Sequence, residues 1–157
     1  SQAKQQNKNC ATCHMPAITR KQSLQSYTAI EGRKHTWRGS RSKSLLKQSA
    51  KLSIQRSNEQ VTVTVINETG HILPGDGLRA VILEVSFGNQ KERQVFCAEI
   101  DTDRLKIKQE LRLKEDEVKQ VDFTIPLGQP VSAKLFYRFL PTTPEKEWLQ
   151  IAEATAP

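Results

Sequence analysis

With 157 residues, the chain is long enough for one domain, or for one domain with an extension. A hydrophobic fraction of 36% supports a modest core, and no apolar run approaches the roughly 18 residues that span a bilayer, so no transmembrane segment is expected. Charge is uneven: residues 1–50 hold ten Lys/Arg against one acid, Glu31, while residues 51–157 are net −2. A basic segment of this kind suits an acidic partner. No basic motif interleaved with aromatics is present, so nucleic acid is not expected as a partner.

In chain order, Ser1-Gln2-Ala3-Lys4 opens a polar stretch without the apolar core of an export signal. Any such signal is expected upstream of residue 1. Residues 2–8 read as a frayed or helical lead-in. Residues 20–30 are expected to hold one short helix, and residues 42–50 another with Leu45 and Leu46 facing inward. Past residue 50 the pattern changes to alternation, strongest in Gln60-Val-Thr-Val-Thr-Val-Ile66, where six successive residues are β-branched. Strands are expected over 51–55, 60–66, 79–87, 93–100, 105–113, 118–125, 131–139 and 148–152. Asn67-Glu-Thr-Gly70, Pro74-Gly-Asp-Gly77, Gly88-Asn89 and Leu127-Gly-Gln-Pro130 supply turns between them.

The fold class that follows is mainly β. An immunoglobulin-like antiparallel β-sandwich over residues 51–157 is preceded by a short, partly helical segment over residues 1–50. The Cys…Trp…Cys core of antibody domains is absent, so the architecture alone is implied. Cys97, in Val95-Phe96-Cys97-Ala98, reads as a small buried hydrophobe.

Cys10-Ala11-Thr12-Cys13-His14 is a C-x-x-C-H motif, the attachment signature of c-type haem. Two thiols three positions apart can add to the two vinyl groups on one porphyrin edge, and the adjacent imidazole then meets the iron from below. A redox dithiol would need a βαβ setting, which the strand pattern lacks. A zinc site would need two further ligands from Cys97, His35 and His71, which are scattered. One covalent haem c is the expected cofactor, with Cys10 and Cys13 as its anchors and His14 as the proximal iron ligand.

For the opposite face of the iron, the single methionine, Met15, follows His14 on the same side of the ring and cannot reach across. His35 and His71 are the remaining histidines, unless the sixth position is open or taken by Lys or Tyr27. His35 is the preferred distal ligand, because its segment is close enough to fold back over the haem. Trp37 could then cover the ring edge, and Arg33, Lys34 or Arg38 could pair with the propionates. His71, in a turn after a strong strand, is the alternative. Bis-His ligation lacks the thioether that raises the potential, so a relatively low potential is expected.

Cys10-Ala-Thr-Cys-His-Met-Pro16 followed by His35-Thr-Trp-Arg-Gly39 resembles a pairing found in bacterial multihaem cytochromes of the cytochrome c554 type. Val61-Thr-Val-Thr-Val-Ile-Asn67 with Gly70-His71-Ile-Leu-Pro74-Gly75 resembles the segment that opens an immunoglobulin-like domain in many extracellular multihaem proteins. The resemblance implies His14 as proximal and His35 as distal ligand, with His71 ligating or lining the junction between haem and sandwich. This chain departs from those relatives in carrying a single C-x-x-C-H.

The function expected is electron transfer by an exported, periplasmic or cell-surface monohaem cytochrome without enzymatic activity. Its partner would be an acidic redox protein, another cytochrome, or further copies with stacked haems. The alternatives are a haem enzyme or sensor with an open distal site, such as a peroxidase-like protein, or a subunit of an extracellular multihaem assembly. An adhesive module with a zinc knuckle is a third class.

Overall fold

A computed structural model describes residues 9–21, 23–25, 27–35, 39–101, 103 and 106–157. The expected lead-in over residues 2–8 lies outside them. The described residues begin with a short helix α1 (Cys10–His14), a hairpin of β1 (Ala17–Lys21) and β2 (Ala29–Arg33), and a one-turn helix α2 (Lys43–Leu46). There follow β3 (Ala50–Ser57), β4 (Gln60–Asn67), β5 (Ala80–Phe87), β6 (Gln90–Asp101), β7 (Lys106–Glu110), β8 (Val118–Thr124), β9 (Val131–Arg138) and β10 (Leu149–Ala156). The mainly-β expectation holds.

Two antiparallel sheets, ordered β3-β4-β8 and β10-β9-β5-β6-β7, share one core. The β-branched run of β4 explains itself here: Val61, Val63 and Val65 turn inward with 0% exposure, while the intervening residues face away. Across the core, β5 presents Val81, Leu83, Val85 and Phe87, and β9 presents Val131, Ala133, Leu135 and Tyr137. Strand β10 also lies against β3, which brings the two sheets together along one side. Arg56 of β3 reinforces that side, donating to the carbonyl oxygens of Gln129 at 2.6 Å, Pro126 at 2.7 Å and Pro157 at 3.1 Å.

Two expectations are corrected. Residues 20–30 do not form a helix: Arg20 and Lys21 end β1, and Ala29 and Ile30 open β2, paired antiparallel in the register Arg20↔Ile30. Nearly every residue of this hairpin is exposed on both faces, so its sequence carries no alternation from which strands could be read. Cys97 is half-buried rather than buried. Its neighbours Phe96 and Ala98 turn inward, and the two-residue period sends Cys97 to the outer face. No helix among the described residues is long and apolar enough to cross a membrane.

Candidate cofactor cleft

Asn9 starts helix α1 by accepting, at its Oδ1, the Thr12 backbone N–H at 2.9 Å and the Thr12 hydroxyl at 2.9 Å. Within a helix, positions three and four apart share a face. The cap therefore sets Cys10, Cys13 and His14 side by side. Both thiols are free and exposed, and His14 is half-buried. Arg33 at the end of β2 donates from Nη1 to the carbonyl oxygens of Ala11 at 3.3 Å and Met15 at 3.1 Å. A guanidinium on the last carbonyls of a helix stabilises its end. The Lys34 N–H adds a bond to Pro16 O at 2.9 Å, so the hairpin and the motif helix brace one another.

Cys10, Cys13 and His14 form one wall of a cleft of about 420 Å³, inside the range of roughly 300–1,000 Å³ typical of small-molecule sites. The loop between β4 and β5 lines the same cleft through Glu68, Thr69, Gly70, His71 and Leu73. Leu45, Leu46 and the ring of Tyr137 add apolar surface, and Arg79 adds a cation. Arg79 is paired with Asp76 at 2.9 Å. Tyr137 is 1% exposed. Burial pushes its phenol above the usual tyrosine range, against the opposing pull of Arg79 and of a hydrogen bond with Ser40.

His71 is exposed at the loop surface, and its Nδ1 lies 2.9 Å from the carbonyl oxygen of Ile72. A carbonyl can only accept, so Nδ1 is the donor, and in the neutral ring Nε2 is then the nitrogen with the lone pair. Metal-binding histidines commonly show this arrangement, with one nitrogen fixed by a backbone carbonyl and the other directed at the metal. His35 is also exposed, just beyond the end of β2, but it does not line the cleft. Trp37 and Arg38 lie outside the described residues. The cleft thus brings together Cys10, Cys13, His14 and His71, and it leaves His35 apart.

These residues fit a c-type haem: two accessible thiols beside one imidazole, apolar surface for the macrocycle, a second imidazole lining the same cleft and a guanidinium suited to a carboxylate. A closed zinc site needs four converging donors. Among the described residues, no group of three or more His, Cys, Asp or Glu side chains gathers in that way. Sequence reading missed Arg79 and Tyr137, which reach the cleft through the fold, and Asn67, which lies behind the loop that carries His71. Asn67 did leave a signal, as the polar residue that ends the β-branched run of β4.

No family model and no curated protein matches the chain. Its fold is similar to that of a solved structure, a penta-heme cytochrome c552 from Thermochromatium tepidum, with a TM-score of 0.71 and 20% identity. The alignment covers 94% of this chain and 46% of the other, so the chain spans less than half the length of that protein.

Proposed function

We propose that this chain is a c-type cytochrome, or the haem-bearing part of a larger one, and that it works in electron transfer. The observation that carries the reading is a single cleft lined by both the C-x-x-C-H motif and His71. Cys10 and Cys13 would hold the haem through two thioethers, His14 would bind the iron from the helix side, and His71 from the loop side. The bound group supplies one-electron redox chemistry. The protein would offer the iron two imidazoles, His14 and His71, with Leu45, Leu46 and Leu73 limiting water around the ring and the Arg79 guanidinium available to a propionate. If both histidines bind, no open iron site would be left for substrate, which separates this reading from a peroxidase-like enzyme or gas sensor.

Likeness to a protein with several haems favours a second form of the same reading, in which this haem is one of a stacked series completed by partner chains or by further sequence. Covalent attachment also implies maturation in an exported, haem-supplied compartment. The test is a pyridine haemochrome spectrum with an intact mass of the matured protein. One c-type haem per chain is the expected result, still attached in Cys10→Ser through Cys13 but with the α-band at longer wavelength because one vinyl group is restored. A colourless protein with the mass of its amino acids alone would overturn the proposal.

A further inference from the structure

We propose that Asn67 is a positioning residue for the iron ligand His71, an inference that rests on the haem reading above. Asn67 ends β4 and is 1% exposed. Its Nδ2 donates to the carbonyl oxygens of His71 at 2.9 Å, Lys114 at 2.9 Å and Leu113 at 3.2 Å. Its Oδ1 accepts the Thr69 N–H at 2.9 Å and lies 2.7 Å from the Thr69 hydroxyl, which is itself 2.6 Å from His71 O. Six residues on, Leu73 and Leu113 exchange N–H···O bonds at 2.8 and 2.9 Å. The loop is therefore fastened on both sides of His71, and both fastenings run to the same stretch, Leu113–Lys114.

Only the His71 side chain is left to orient, and its Nδ1 bond to Ile72 O restrains that as well. The network fixes the imidazole on the cleft wall before any cofactor arrives, which lowers the entropy lost on ligation. An amide suits the task. It gives its two protons to the carbonyls of the loop and of the stretch beside it, and it accepts from Thr69 at the same time. A carboxylate of the same shape has no proton to give and would face three carbonyl dipoles. Asn67→Asp is thus a near-isosteric change that releases the loop.

The experiment compares matured wild type with Asn67→Asp, Thr69→Val and His71→Ala, reading the ferric spin state, the rate of CO binding to the ferrous form and the unfolding midpoint. Wild type should be six-coordinate and low-spin, and His71→Ala high-spin with rapid CO binding, reversed by added imidazole. Asn67→Asp should show a mixed spin state and CO binding about tenfold faster than wild type, with haem content unchanged. Thr69→Val removes the hydroxyl alone and should move the same readouts less; it carries the test if Asn67→Asp does not fold. A lower midpoint with wild-type spin state and CO rate would make Asn67 a fold residue only and overturn the inference. A low-spin His71→Ala would overturn it as well, by removing His71 as the ligand, while a colourless wild type would instead refute the haem reading beneath it.

Discussion

Glu84 sits in the middle of β5 with 7% exposure, on a strand whose other residues are almost all apolar. A carboxylate there is tolerable only because cations meet it: Lys91 at 3.1 Å, and Arg93 at 2.9 and 2.7 Å from Nε and Nη2. Arg93 continues to Glu145 at 2.7 and 2.8 Å, and its guanidinium lies 5.3 Å from the centre of the Trp148 ring. Burial alone would raise the Glu84 pKa, but the hydrogen bonds from Arg93 and Lys91 outweigh it, so the carboxyl is held below its ordinary 4.5. A depressed folded pKa means that the ionised form stabilises the native state above the unfolded value, and that this contribution is lost as pH falls through the folded one. Glu84→Gln should therefore cost about 1–3 kcal/mol at neutral pH. Urea titrations of the two proteins should converge as the pH drops well below 4.5. A gap that stays constant across that range would show that the charge is not what Glu84 contributes.

At the scale of elements, the sandwich and the hairpin obey different rules. Strands β4 and β9 bury alternate residues against a common core, and that alternation was open to inspection in the sequence. The β1–β2 hairpin has solvent on both faces, so nothing in its pattern separates it from a helix or a loop. The site divides in the same way. C-x-x-C-H is a local spacing and identifies itself. Which of His35 and His71 lines the cleft with the motif depends on where β4 carries a loop more than fifty residues downstream, a placement made by the fold rather than by local spacing. Stability should follow the division. Leu83, with 0% exposure at the centre of the larger sheet, should cost about 2–5 kcal/mol when changed to Ala. Ile30, 44% exposed on the hairpin, should change global unfolding by less than about 0.5 kcal/mol in the same assay. A comparable loss from Ile30→Ala would mean that the hairpin belongs to the cooperative unit.

Along the whole chain, the positive charge is concentrated in the N-terminal part that carries the C-x-x-C-H motif. Residues 1–50 carry net +9 against net −2 for the rest of the chain, and they include the motif helix and the hairpin braced against it. Arg20, Lys21 and Lys34 are exposed on that hairpin. A field of this sign accelerates encounter with an anionic partner and retards a cationic one, and salt removes both effects as the screening length falls from roughly 30 Å at 0.01 M to roughly 3 Å at 1 M. Two small one-electron oxidants separate charge from driving force. Oxidation of the reduced protein by ferricyanide, an anion, should slow as salt is raised, and oxidation by tris(phenanthroline)cobalt(III), a cation, should quicken. Reversing Arg20 and Lys21 to Glu should bring the two salt dependences together at low ionic strength and leave the rates at high ionic strength unchanged, because the substituted side chains are solvent-exposed and touch neither cleft wall. Rates indifferent to salt with both reagents would place the basic segment away from the path of the electron, and the acidic partner would lose its physical basis.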